Sequence, residues 1–432
     1  MKTEKFLFVF LIISIFVGNV FSEENTQTGK ETVLSLEDCI VLARENNISI
    51  KVQQNTLEDL KLKNSFSWNS VSPTLKGEAS YSDNFLQDVK SFGVSGSVGL
   101  TLSTNLYSSI KGAKLNYENG ILTYQQAVKQ IELNVWKAFY GLIYKNDYYL
   151  FQKQNLETAK KNYEQNLAKF RSGKISELDV MTSQVNYEQK KPAVEEARID
   201  LINNYQLFKQ ILGIPQDDII KLDGSLDKFL DLKSIKLPEK DKPAPDIQAA
   251  MNAVEIAKNN LLAQRFSAYG PTITGSYKYG KTMNVDSSDW TTTNSFSIGV
   301  SIPLDSYLPW SQSAISINTL KKNLDSARLK LQDAETSIKV STDNYIRKIE
   351  QIIAMLEVSK QNVELAKKTY EMTEKAYNYG KTDFLTLQNA VDNVTNAEIT
   401  LSNQAKTLLE TLLDTEYLLG LDFGTILKLS NE

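Results

Sequence analysis

Two long stretches of the chain repeat apolar residues every three and four positions, the spacing of a heptad seam on an α-helix. In the first stretch, twelve of fifteen seam positions are apolar or aromatic. The seam consists of Ile121, Tyr124, Val128, Ile131, Val135, Ala138, Leu142, Lys145, Tyr149, Gln152, Leu156, Ala159, Tyr163, Asn166 and Phe170. The same positions 207 residues later keep the seam as far as Tyr377, with five polar interruptions. At 1.5 Å per residue, about 60 residues would form a rod roughly 90 Å long.

Four shorter segments alternate apolar and polar residues with a period of two, which predicts β-strands. These segments are residues 74–82, 94–102, 272–280 and 295–302. Strands of about 9–11 residues with one polar face are typical of a membrane β-barrel. Two soluble hairpins, each with one face packed on a core, are the alternative interpretation of the same pattern.

The chain contains one structural plan twice. Residues 153–164 and 360–371 are identical at nine of twelve positions, at an offset of 207. Each half has a helix that ends before a proline, two strands, a long helix, a glycine turn and a return helix. The opening helices are predicted at 36–70 and 246–268. We therefore predict one protomer with a first repeat at 23–213, a linker at 214–245 and a second repeat at 246–432.

Glycines mark the ends of the predicted rods. Gly173 and Gly380 occupy equivalent places in the two repeats, and the residue just past a helix end often needs a positive φ angle. Ser176, and either Thr382 or Asp383, are the predicted N-caps of the return helices. Each half is thus expected to contain a long antiparallel helical hairpin with a tight tip.

The N-terminus has the pattern of a secretory signal peptide at residues 1–22. A short basic start precedes an apolar run from Phe6 to Val17, and Val20 and Ser22 are small enough for a cleavage site. An N-terminal membrane anchor is the alternative, but the run is shorter than the roughly 20 residues that span a bilayer. An exported chain of this composition that enters a membrane would do so as β-strands.

Composition argues against catalysis and against nucleic-acid binding. The chain has no histidine, one cysteine (Cys39) and a net charge of −4. The commonest general base and the commonest metal ligands are therefore missing, and no basic footprint for nucleic acid exists. We predict no catalytic residue, no metal and no cofactor. A carboxylate hydrolase is the enzymatic alternative, and no motif supports it.

Strands and rods together predict an oligomer. Four strands cannot close a barrel, and an open sheet edge in lipid leaves backbone groups unsatisfied at several kcal/mol each. Two subunits would supply eight strands around a filled interior, whereas three would supply twelve around a lumen. Three subunits would also supply twelve helices to continue those strands. A homotrimer follows from this steric argument.

The whole plan resembles the TolC-like outer-membrane efflux proteins over essentially the mature chain. The resemblance rests on the order of several short motifs. They are Leu34-Ser35-Leu36-Glu37-Asp38, Ser72-Pro73-Thr74-Leu75, Phe170-Arg171-Ser172-Gly173, Leu178-Asp179-Val180 and Tyr377-Asn378-Tyr379-Gly380. The resemblance implies a mainly α protein whose trimer forms a 12-stranded outer-membrane barrel and a periplasmic helical tunnel. It also implies a periplasmic adaptor as partner and, through that adaptor, an inner-membrane pump.

The resemblance also implies which residues matter. The tips at 171–180 and 377–389 would dock the adaptor, with Arg171, Gly173, Lys174, Gly380 and Lys381 as candidates. Asp179 and Tyr377 match two partners of a closing latch, but Thr382 stands where the family has a basic residue. Thr386 and Asn389 stand where two aspartates commonly ring the pore. Asp383 and Asp392 are the nearby acids that could replace that ring.

Plainer interpretations compete with these assignments. The two tip glycines are also what an ordinary helix end requires, and an acidic residue on a helix usually lies on a solvated face. At the level of the whole chain, a coiled-coil adhesin or periplasmic rod without a lumen would share the heptads and the signal. It would not explain two alternating strands in each repeat.

Overall fold

In the computed structural model of the protein, residues 32–84, 89–238, 242–284 and 289–431 are described. The predicted signal peptide at 1–22 lies outside the described residues, as do the centres of the two strand-connecting loops.

The structure contains the two repeats predicted from the sequence. The first comprises α1 (Leu36–Asn46), α2 (Ile48–Ser65), β2 (Thr74–Asn84), β3 (Val89–Ser103), α3 (Leu106–Arg171) and α4 (Glu177–Leu212). The second comprises α5 (Pro245–Tyr269), β5 (Thr272–Asn284), β6 (Trp290–Ser301), α6 (Gln312–Asn378) and α7 (Phe384–Leu419). Three short elements complete the fold: β1 (Thr32–Leu34), β4 (Ile220–Leu222) and α8 (Thr425–Asn431).

The rods are as long as the seam predicts. Helix α3 has 66 residues and α6 has 67, which corresponds to roughly 100 Å each. Each packs antiparallel against its return helix, α3 against α4 and α6 against α7. The strands are longer at their loop ends than predicted, since β2 reaches Asn84 and β6 starts at Trp290.

The predicted single helix at 36–70 is wrong. It is divided at Asn47, which ends α1 and caps α2, and a short 3-10 turn follows α2 at Ser67–Val71. The Asn47 side chain accepts the N–H of Ser49 at 2.9 Å and donates to the Ile211 carbonyl at 2.9 Å. An asparagine side chain that bonds to backbone competes with the helix at its own position, so the chain bends here and is tied to the end of α4.

The four long strands form one antiparallel sheet in the order β2-β3-β5-β6. The central pair joins the two repeats, with Val98 opposite Tyr277 and Leu102 opposite Ile273. One face carries large apolar side chains that no described residue covers, and Leu75, Phe296, Ile298 and Val300 on it are each at least 66% exposed. Strands β2 and β6 are the edges of this sheet.

The main hydrophobic core lies near the middle of the rods. Phe139 of α3, Phe208 of α4 and Phe229 of the segment between the repeats are fully buried there. The linker crosses this region as β4, which pairs in parallel with β1 near the start of the described chain, and as a 3-10 turn at Asp227–Phe229. The segment between the repeats thus contributes apolar side chains to the same core as the rods.

Among the described helices, none combines the length and the apolar character needed to cross a bilayer.

Glycine at a helix end should matter most where a neighbouring residue approaches it. Gly213 has φ 68°, and a Cβ there would lie 2.7 Å from the Asn46 carbonyl oxygen. Gly173 has φ 71° and open space around it. Gly173→Ala should therefore cost only the left-handed backbone strain, about 1–2 kcal/mol, and Gly213→Ala should cost more. Thermal unfolding of the two purified variants checks this, and equal midpoints would contradict it.

Candidate functional site

The two hairpin tips are built by the same backbone motif. The Gly173 N–H donates to the Phe170 carbonyl at 2.8 Å, and the Lys174 N–H donates to the Lys169 carbonyl at 2.9 Å. The second tip repeats this pair of bonds, from Gly380 to Tyr377 and from Lys381 to Ala376. This is the Schellman arrangement, which needs a left-handed residue after the helix. The repeated Gly-Lys pair is therefore explained by the turn itself.

Two of the predicted gate residues cap the return helices. Asp179 forms a capping box with Ser176, because its carboxylate accepts the Ser176 N–H at 3.1 Å and hydroxyl at 2.7 Å. Asp383, rather than Thr382, caps α7 by accepting the Thr386 N–H at 2.7 Å. That bond holds the pKa of the exposed Asp383 carboxyl below its usual range. Thr382 itself is half-buried.

Tyr377 connects the two hairpins. Its hydroxyl donates to Oδ1 of the buried Asn166 on α3, its ring lies 6.1 Å from that of Phe384, and Lys169 Nζ lies 4.2 Å from its ring centre. Burial raises the pKa of Tyr377, and the nearby Asp179 charge adds to this effect. The direct polar partner of Tyr377 is Asn166, whereas the Asp179 carboxylate bonds to Ser176.

The candidate ring residues do not share one environment. Thr386 and Asn389 are exposed, whereas Asp392 is half-buried. Steps of three residues rotate by about 60° around a helix, so Asp392 is turned about 120° from Thr386. Its Oδ1 accepts Lys190 Nζ of α4 at 2.6 Å and Asn155 Nδ2 of α3 at 3.3 Å. Asp392 therefore faces the first hairpin.

We name Asn155, Lys190 and Asp392 the hairpin clasp, because they join the first helical hairpin to the second. A further bond between the hairpins runs from Gln388 Nε2 to Asn186 Oδ1 at 2.7 Å. The sequence analysis did not single out these contacts. The polar residues that interrupt the α3 seam were a usable signal for polar contacts between helices. Asn166 bonds to Tyr377, and Lys145 pairs with Asp200 at 2.5 Å.

The basic tip candidates are exposed. Arg171, Lys174 and Lys381 all lie at the ends of the rods with their side chains in solvent. Exposed apolar side chains accompany them, with Leu178 at 71%, Tyr379 at 79% and Leu385 at 58%. A mixture of cations and uncovered apolar surface is typical of surfaces where proteins dock. No cluster of three or more metal-ligating side chains exists among the described residues.

The architecture defines a class of protein: an internally repeated protomer with a four-stranded sheet and two long helical hairpins. Its fold matches that of the Campylobacter jejuni CmeC outer membrane channel, with a TM-score of 0.73 at 17% identity over 92% of this chain and 89% of that one. It also matches the outer membrane protein VceC of Vibrio cholerae, with a TM-score of 0.71 at 13% identity over 90% and 96%. The open-state MtrE outer membrane channel of Neisseria gonorrhoeae gives 0.69 at 19% identity over 89% of each chain.

The family model for outer membrane efflux proteins matches residues 44–214 and 241–421, and the chain belongs to that family. Comparison with curated protein sequences gives no significant match. The protein is an efflux channel subunit of the outer membrane with a periplasmic tunnel, and the interpretation as an adhesin or rod without a lumen is not supported.

Removing the Asp383 cap should loosen the start of α7. Asp383→Ala leaves the Thr386 N–H without its side-chain acceptor, whereas Asp383→Ser keeps one. We expect amide hydrogen exchange over residues 384–388 to accelerate by about fivefold in the alanine variant, as for a lost N-cap. The serine variant should exchange nearly as the wild type does. Unchanged exchange in the alanine variant would show that this carboxylate does not hold the tip.

Proposed function

We propose that three copies of this chain form one passive exit duct. The observation that carries the proposal is the pair of sheet edges, β2 and β6, beside an apolar face that no described residue covers. Joining β6 of one subunit to β2 of the next removes every edge, and three subunits give a closed barrel of twelve strands. Residues 1–22 would direct export, and the apolar face would contact outer-membrane lipid.

The rods support the same assembly. Helix α6 leaves Val358, Leu365 and Met372 largely exposed, at 56%, 62% and 66%, with a spacing of seven residues. Helix α4 leaves Leu178 and Val185 exposed, at 71% and 54%, with the same spacing. A heptad row of uncovered apolar side chains needs a partner helix. Neighbouring subunits would supply these helices in a ring of twelve.

The tips would receive a periplasmic adaptor protein, which in turn contacts an inner-membrane pump. Exposed Arg171, Lys174 and Lys381 and the exposed Leu178 and Tyr379 support this role. Gly173 and Gly380 would act indirectly, by building the turns that present these side chains. The pump would supply energy and selectivity, and the duct itself would catalyse nothing.

A polar gate is proposed between the hairpins. The clasp joins α7 to α3 and α4, with side chains that are only 21% and 29% exposed at Lys190 and Asp392. Tyr377 and Asn166 make a second link nearer the tip, close to the Asp179 charge. Moving one hairpin away from the other would break both links. Binding of an adaptor that prefers the separated state would shift this equilibrium toward opening.

The purified mature protein should insert into planar bilayers as a conducting trimer. We expect discrete conductance steps of one size, because closed barrels insert one at a time, and a cross-linked mass of three subunits. A well-folded, water-soluble monomer that gives no steps would rule the duct out.

The gate predicts unequal effects for two similar carboxylates. Asp392→Asn removes the charge that links the hairpins, whereas Asp200→Asn removes a partner of Lys145 inside one hairpin. Resting conductance in planar bilayers should rise in Asp392→Asn and stay near the wild-type value in Asp200→Asn.

Asp179→Ala should also raise resting conductance if Asp179 acts on Tyr377. Equal resting conductance in Asp392→Asn and the Asp200→Asn control would show that the hairpin clasp does not hold the gate closed. An unchanged resting conductance in Asp179→Ala would show the same for Asp179.

A further inference from the structure

The polar face of the four-stranded sheet consists mainly of serine, threonine and glycine. The strand register puts Ser82 opposite Ser91, Ser97 opposite Lys278, and Ser276 opposite Ser297, so the polar positions of all four strands share one face. We call this the hydroxyl face. Its serines and threonines are Thr74, Ser80, Ser82, Ser91, Ser95, Ser97, Thr101, Ser103, Thr272, Thr274, Ser276, Thr282, Thr291, Thr293, Ser295, Ser297 and Ser301.

Several of these hydroxyls are bonded within the sheet. Ser82 and Ser91 share a hydrogen bond of 2.9 Å, and Ser276 and Ser297 share one of 2.8 Å. The Thr74 hydroxyl donates to the Gly99 carbonyl at 3.1 Å. Short side chains held against the sheet leave the space above it open, and they bring no charge to it.

The hydroxyl face carries few charged side chains. Within the described strands its ionisable side chains are Lys76, Glu78 and Lys278. The Lys278 and Glu78 charges lie 4.0 Å apart, so they largely cancel at a distance. Lys76 leaves an excess of one positive charge per subunit.

At the helical end, the two ring positions predicted from the resemblance carry no charge. The two exposed candidates, Thr386 and Asn389, are uncharged. The Asp392 carboxylate is paired with Lys190 at 2.6 Å, whereas the exposed Asp383 keeps its negative charge while it caps α7. Within the tips at 171–180 and 377–389, the three cations Arg171, Lys174 and Lys381 balance the three anions Glu177, Asp179 and Asp383.

We infer that the described strands supply no acidic filter to this duct, and that the duct conducts anions at least as readily as cations. Rings of carboxylates make a pore cation-selective, and rings of lysine favour anions. Here a trimer would place three unbalanced Lys76 ammonium groups around a lumen lined by hydroxyls. The cargo class that fits such a lining is anionic or neutral. This inference rests on the proposed closed barrel, with the hydroxyl face inward.

Reversal potentials of single channels in a KCl gradient test the inference. The wild-type permeability ratio of K⁺ to Cl⁻ should be at or below about 1. Glu78→Gln should lower the ratio further, by about twofold, because it frees the Lys278 charge. Lys76→Gln should raise the ratio. Lys281→Gln is the matched control, because Lys281 of β5 lies opposite Val94 on the other face of the sheet, and it should leave the ratio unchanged.

Two results would overturn the inference while leaving the duct in place. One is a wild-type channel with regular conductance steps that prefers K⁺ by about fivefold or more. The other is a permeability ratio that changes in the same direction in Glu78→Gln and Lys76→Gln, or that changes as much in the Lys281→Gln control. Absence of conductance steps from all variants would instead contradict the proposed duct, and the inference would fall with it.

Discussion

The unpaired edges of the sheet are the constraint on which the rest of the structure depends. Strands β2 and β6 each present an edge that no other described strand covers. In hydrocarbon each unsatisfied backbone group costs several kcal/mol. In the proposed duct the chain therefore places its apolar face in lipid by sharing a barrel with other copies, and one protomer supplies only part of that barrel.

The helical part is organised by the same requirement. Each repeat contributes two strands and one hairpin, and the rods α3 and α6 differ in length by one residue. Matching lengths bring both tips to the same level, where the same Schellman turn ends each rod. The core around Phe139 and Phe208 holds the rods together at mid-length, whereas polar contacts join the hairpins nearer the tips. In the proposed gate, separation of the hairpins at the tips would break these polar links.

Periodicity was sufficient to predict most of the fold from the sequence. The heptad seam, the alternating strands and the repeated glycines each depend on local geometry, and the structure places them as expected. The break at Asn47 was missed because it depends on a bond to Ile211, far along the chain. The clasp was missed for the same reason: Asp392 acquires its partners, Lys190 and Asn155, only when the hairpins pack. Composition cannot show which of several acids faces another helix, and the gate assignments made from the resemblance remain predictions.

Cross-linking of the two sheet edges tests the shared barrel most directly. In a Cys39→Ser background, Ala79→Cys on β2 would be combined in turn with Phe296→Cys, Ile298→Cys and Val300→Cys on β6. Side chains opposite each other on paired strands have Cβ atoms about 5 Å apart, so one combination should form disulfides in membranes. The account predicts a ladder of one, two and three subunits that ends at three. Exclusively monomeric protein with all three combinations, in a channel that still conducts, would contradict it.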